Sequence, residues 1–422
     1  MSFVQSFSRL CLSVLAVMLF VGCNCSRTVV PDPKLMTEGG NPAIKGVHVD
    51  MLGDPYPRFT TADVANPDHP AFGFYAAFER LRSREGITLW NSWKGYDPAV
   101  TTKELTDDLV AWAKGFDRVT ILIHGFNVEH ARAAGVYDEL TAIVTKEEPG
   151  IRQGFIYFYW DGLTGKGPGI WGSAQWNSAF AGENGLRHVL LALGRDRPIR
   201  IITHSRGAGV AMAALGDASR SSTAASLRAK NWAITQGILD YRSQRSRSTL
   251  VSPPLGDPGY ITAILMAPAI GSYDFIDGRK IFSADYYRDH QAEKPDRRNA
   301  NAPHSLELWA GNAQDYGGLR LIIGSNDSDL ILDKVIRGKS GIAGSTALGA
   351  TPCFAVTVHR DLVTASKDRL RGGVVDFSEK EKPTNHDMGT YVRSESLKRC
   401  LRWSITPDPD AATWSDLWMT CP

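Results

Sequence analysis

Six stretches of this chain are apolar almost without interruption, and each ends abruptly in polar or glycine residues. They are RVTILIHGF (118–126), QGFIYFYWDG (153–162), IRIITHS (199–205), YITAILMAP (260–268), LRLIIGSND (319–327) and GVVDFSE (373–379). A strand wetted on one face alternates polar and apolar residues, whereas a run that does not alternate is buried on both. Between the runs, apolar residues recur at helical spacing: Val136, Leu140, Ile143 and Val144 in one stripe, Leu186, Leu190 and Leu193 in another. Small residues from Gly207 to Leu215 predict a close-packed helix, and 388–401 carries a further helical pattern. This alternation predicts an α/β fold, a mostly parallel sheet with helices on both faces joined by right-handed crossovers. Sheets of this kind bind ligands beyond the carboxyl ends of their strands.

The 422 residues suffice for one large domain or two ordinary ones. The strand–helix pattern spans 116–402. Three stretches in it, 162–182, 216–259 and 271–318, are too long for plain crossovers and are expected to be loop insertions placed to form a lid. Trp171, Trp176, Tyr286, Tyr287, Trp309 and Tyr316 fall in them and suit either an apolar pocket or plain packing. Residues 46–115 read as an N-terminal extension supplying early strands and a helix, and 403–422 as a C-terminal tail.

The N-terminus reads as an export signal. Arg9 precedes an apolar run from Leu10 to Gly22, 13 residues long. That is short for a bilayer span, which needs about 20, and suits the core of a signal peptide. The run ends FVGC (20–23), which resembles a bacterial lipobox with Phe20 in place of the commoner Leu. The resemblance implies cleavage after residue 22, lipid on Cys23 and a membrane anchor, and Asn24 resembles the sorting residue of outer-membrane lipoproteins facing the periplasm. Residues 23–45, rich in Pro and Gly, read as a flexible tether.

Export implies an oxidising compartment, where Cys400–Cys421 is a candidate disulfide pinning the tail. Neither a CxxC motif nor Cys/His zinc spacing occurs, so no metal is expected. Net charge is +2. The one short basic run, Arg242, Arg245 and Arg247, is interleaved with Ser and reads as a solvated loop, which argues against a nucleic-acid partner.

The third run leads into THSRG. A nucleophile elbow normally reads G-x-S-x-G, because the strand-to-helix turn is so tight that the flanking positions must be small. Gly207 satisfies the second, while Thr203 stands in for the first glycine. Ser205 is then the candidate nucleophile, and His204 before it is not expected to act as its base. About 80 residues earlier stands IHGFN (123–127). Acyl transfer needs two backbone N–H donors at the developing oxyanion. Arg206, following the serine, and Phe126, in the HGF loop, are the candidates. Gly125 lets that loop turn and His124 is expected to order it. The chain order Ser, acid, His points to Asp327 at the end of the fifth run, with Asp329 and Asp274 as alternatives. It points to His386 as the base, with His359 as the alternative.

IHGFN, the Tyr-Trp-Asp strand end, HSRGAG, LMAPAI, GSNDSDL and VVDFSE…HDMGTY occur in this order over roughly 115–400. Together they resemble an α/β-hydrolase family of unknown function with a VHGFN-type loop and an HSMG-type elbow. This chain departs from it in Trp160-Asp161-Gly162, where Trp-Pro-Ser is usual, and in THSRG for AHSMG. The resemblance implies the α/β-hydrolase fold, with Ser205 as nucleophile, Asp327 as acid and His386 as base. Arg206 in place of Met sets a cation either at the pocket mouth, favouring anionic substrates, or in solvent. The expected activity is that of a serine hydrolase on a carboxylic ester or related acyl bond, small or lipid-like, without a cofactor. The alternative is a non-catalytic envelope lipoprotein that uses the same fold to bind a partner.

Overall fold

In the computed structural model the six apolar runs lie side by side in one parallel sheet. The structure describes residues 40–50, 53–56, 98–162, 174, 177–178, 180–194, 197–215, 261–270, 319–329, 348–350, 352–365, 370–378, 386–405 and 415–421. The strands are β1 (Ile44–His48), β2 (Arg118–Ile123), β3 (Gln153–Tyr159), β4 (Ile199–His204), β5 (Ile261–Met266), β6 (Leu319–Ser325) and β7 (Arg371–Asp376). Their order is β1-β3-β2-β4-β5-β6-β7, and every pair is parallel. All carboxyl ends therefore lie along one edge.

Alternate side chains serve opposite faces, as the pleat requires. Ile121, Ile201, Ala263 and Leu321 pack under helices α1 (Pro98–Ala113), α3 (Arg187–Leu193), α4 (Gly207–Leu215) and α5 (Pro352–Ala365). Leu122, Ile202, Ile264 and Ile322 pack under α2 (His130–Glu147), α6 (Met388–Val392) and α7 (Glu395–Ile405). Both faces are dry, which is why the runs do not alternate.

Residues 44 and 45, assigned above to the tether, belong to β1, which pairs with β3. The boundary at 402 likewise cuts through α7, whose Trp403 is buried. The tail straps the open edge of β7: Met419 N–H donates to Val374 O at 2.8 Å. Its cysteine overturns the expected pairing. Cys421 bonds Cys353 on α5, with Cα atoms 5.4 Å apart, and Cys400 is a free, buried thiol. Cys400 lies on the inner face of α7 with Leu397 and Leu401, so its sulfur is committed to the core. Burial pushes that thiol up to about 12.

Below α7, Glu148 takes a salt bridge from Arg118 at 2.5 Å and another from Arg200. Arg200 also donates to Ser404 Oγ at 3.0 Å. Burial pulls the Arg200 guanidinium down to about 10.

The signal, the lipobox cysteine, Asp274, the basic run and nearly all of the three insertions lie outside the described residues. Among the described residues no helix is long and apolar enough to cross a membrane.

Candidate active site

The site lies where β2, β4, β5 and β6 end. Ser205 occupies the turn between β4 and α4 at φ 53°. A left-handed backbone costs a non-glycine residue roughly 1–3 kcal/mol and persists only where the surroundings impose it. Here they do. Ser205 N–H donates to Met266 O at 3.0 Å, and Ser205 O accepts from Ala208 N at 3.2 Å and Ala269 N at 3.1 Å. Two other non-glycine residues take positive φ, Asn127 and Ala267, one just past β2 and one just past β5. All three such residues among those described thus cluster on the carboxyl edge.

The HGF loop lies against this turn. A Cβ on Gly125 would stand 2.9 Å from Ser205 Cβ, and one on Gly207 would stand 2.5 Å from His124 O. Both are closer than real Cβ contacts allow, so both glycines are required by the approach of loop and elbow. The nearest atoms to Gly207 belong to Ile123 and His124, not to Thr203. That explains how Thr203 fits: it pairs between Ile123 and Leu265 as an ordinary buried strand residue.

His124 is tied into the loop and to Trp160. Its Nδ1–H donates to Gly125 O at 2.7 Å, and Nε2 accepts from Trp160 N–H at 3.3 Å. Trp160 Nε1–H returns a bond to His124 O at 2.9 Å, and the two rings stack. This pattern fixes a neutral tautomer, and burial holds the imidazole down to about 4.

His386 stands on the chain just before α6, and its Nδ1 lies 2.6 Å from Asp329 Oδ2. Its ring is 4.6 Å from the ring of His204, the neighbour of Ser205. Ser205 Oγ and His386 Nε2 are both buried with no hydrogen-bond partner, so the bond between them is not made in this structure. Catalytic hydrogen bonds are often loose without substrate, and their absence does not disqualify a candidate base.

Three expectations need correction. Asp327 is exposed, and its Oδ1 accepts from Ser328 Oγ at 3.1 Å. The acid on His386 is Asp329, fully buried two residues later, because the turn that closes Asp329 N–H onto Asn326 O aims it inward. Arg206 is neither at a pocket mouth nor in solvent. It is 2% exposed, and its guanidinium donates to Ser178 Oγ at 2.9 Å and Ala269 O at 3.2 Å. His359 lies within α5, buried against Leu321 of β6, and burial holds it down to about 4. It faces the middle of a strand, not the carboxyl edge.

Two residues without an assigned role complete the site. Tyr391 O–H donates to Asp329 Oδ2 at 2.5 Å, and Asn326 Nδ2 donates to Tyr391 Oη at 3.1 Å. Both sit inside quoted segments, GSNDSD and HDMGTY. A polar residue five positions after the candidate base, on the short helix that follows it, was the available signal.

These features define an all-parallel α/β protein with a strained serine turn and a His–Asp pair on one sheet edge. Among the described residues no group of three or more His, Cys, Asp or Glu could hold a metal ion. Compared with known proteins, the chain matches no family model, no curated protein and no solved structure.

Proposed function

We propose that this chain is a serine hydrolase of the α/β-hydrolase fold, cleaving a carboxylic ester or related acyl bond. One observation carries the reading: a serine held at φ 53° against Gly125 shares the sheet edge with a buried His386–Asp329 pair. A strained strand-to-helix turn fixes a serine at the carboxyl edge of the sheet, which is what a nucleophile needs and a structural serine does not.

In this mechanism Ser205 Oγ attacks the acyl carbon while its proton passes to His386 Nε2. Asp329 accepts the Nδ1–H bond and balances the imidazolium. The backbone N–H groups of Phe126 and Arg206 receive the oxyanion. His386 then protonates the departing alcohol, and water, deprotonated by the same nitrogen, releases the acid and restores Ser205. The Arg206 side chain, spent on Ser178 and Ala269, holds the first turn of α4 in place rather than selecting charge.

The N-terminal segment suits the anchor expected from FVGC: lipid on Cys23 and a tether holding the domain at the outer membrane, facing the periplasm, with small or lipid-like esters as substrates. The likeness of IHGFN and HSRGAG to the hydrolase family of unknown function supports the same reading.

The test is labelling of the full-length chain with a fluorophosphonate probe, followed by peptide mapping. Modification at Ser205, lost in Ser205→Ala, supports the reading. A folded protein that stays unlabelled while chain-length-graded 4-nitrophenyl esters are not turned over would overturn it in favour of the binding module.

A further inference from the structure

Resting on that reading, we infer that Tyr391 and Asn326 are positioning residues that fix the direction of the hydrogen bonds ending on Asp329, and through them the tautomer of His386. The argument is one of donors and acceptors. Ser328 N–H, which can only donate, bonds Asn326 Oδ1 at 3.0 Å. That bond settles the amide's orientation, leaving the NH₂ group toward Tyr391. Asn326 Nδ2 donates to Tyr391 Oη at 3.1 Å, so the phenol's single proton is directed to Asp329 Oδ2, 2.5 Å away. The same oxygen takes His386 Nδ1 at 2.6 Å.

The chain of bonds therefore runs one way, from the Ser328 N–H through Asn326 and Tyr391 to the carboxylate oxygen that His386 also meets. An ionised Asp329 has only acceptor capacity, so His386 must carry its proton on Nδ1 and present Nε2 as the acceptor for Ser205. Tyr391 is fully buried, and burial together with Asp329 pushes its hydroxyl well above the usual phenol range, so the donor stays a donor. A second donor on Oδ2 also shares the negative charge of the atom facing His386.

Tyr391→Phe tests this, because it keeps the ring that packs on His204 and Phe377 and removes only the donor. The groups around His386 are Asp329 from the end of β6, Tyr391 on α6 and His204 on β4. Arg132 of α2 pairs with the adjacent Asp387. The readout is the second-order rate of fluorophosphonate labelling of the full-length chain across pH. Tyr391→Phe is expected to label about tenfold more slowly, with the acid limb of the profile moved to higher pH, as a more basic carboxylate requires. Asn326→Ala, which frees the phenol proton to turn away, is expected to move the limb the same way by less. A folded Tyr391→Phe that slows labelling without moving the limb would reduce Tyr391 to packing and overturn the inference. Wild-type labelling at Ser205 is scored first, since its absence defeats the hydrolase reading instead.

Discussion

His386 Nδ1 stands 2.6 Å from Asp329 Oδ2, while Asp327, two residues earlier, points to solvent. The acidic partner of His386 is therefore the inner of two nearby carboxylates. Asp329→Asn keeps the shape but puts the wrong tautomer on His386. It is expected to cut kcat/KM on a 4-nitrophenyl ester by about a thousandfold or more, as loss of a triad acid does. Asp327→Asn is expected to stay within about twofold of wild type, since surface changes away from such contacts are nearly neutral.

Loop and elbow touch through two glycines. Gly207→Ala would drive a methyl to 2.5 Å from His124 O, a backbone atom that cannot yield cheaply. Overpacking of this kind costs roughly 1–3 kcal/mol, and here it also displaces the HGF loop. A lowered unfolding midpoint together with labelling of Ser205 slowed at least tenfold is the expected result. Retained labelling in a destabilised protein would separate the loop from catalysis.

The Glu148 cluster lies at the opposite end of the sheet. Its carboxylate is fully buried between Arg118 and Arg200. Glu148→Ala leaves Arg200 charged and uncompensated, which costs about 3–5 kcal/mol for a buried pair. Urea unfolding should show that loss. The labelling rate of the molecules that remain folded should be unchanged, because the cluster is remote from Ser205.

Cys353 and Cys421 close a separation of 68 residues. A loop of that size is worth about 4 kcal/mol in unfolded-chain entropy. Non-reducing peptide mapping is expected to recover the Cys353–Cys421 pair with Cys400 alkylated only after unfolding. Cys421→Ser should lower the unfolding midpoint and release the tail from β7 to proteolysis.

Buried histidines set an acid limit on stability. Burial holds His48 down to about 3 and His124 and His359 to about 4, all below the ordinary 6.5. The folded state keeps them neutral while the unfolded state binds protons below about pH 6.5, so unfolding takes up protons. Their stabilisation is whole above that pH. It falls by up to about 1.4 kcal/mol per histidine for each unit of acidification, levelling off near the folded values. Urea midpoints that stay flat from pH 7 to pH 5 would contradict this.

The strands and the serine turn were legible in one dimension because each obeys a local rule. Burial on both faces removes alternation from a strand, and a tight turn demands Gly207 whatever surrounds it. β1 was not legible as an element. Its five residues, IKGVH, include exposed and half-buried positions, and only pairing with β3 defines it as a strand. Nor could pattern separate Asp327 from Asp329, or Cys353 from Cys400 as the partner of Cys421. Those choices depend on which way a turn or helix faces, and on contacts with α6 and the tail, some 60 residues distant. The direction of the Asp329 hydrogen bonds required every donor and acceptor to be placed at once. Periodicity records how deeply a residue is buried. It holds no record of which neighbour a side chain meets there, and that pairing is decided only when the elements pack.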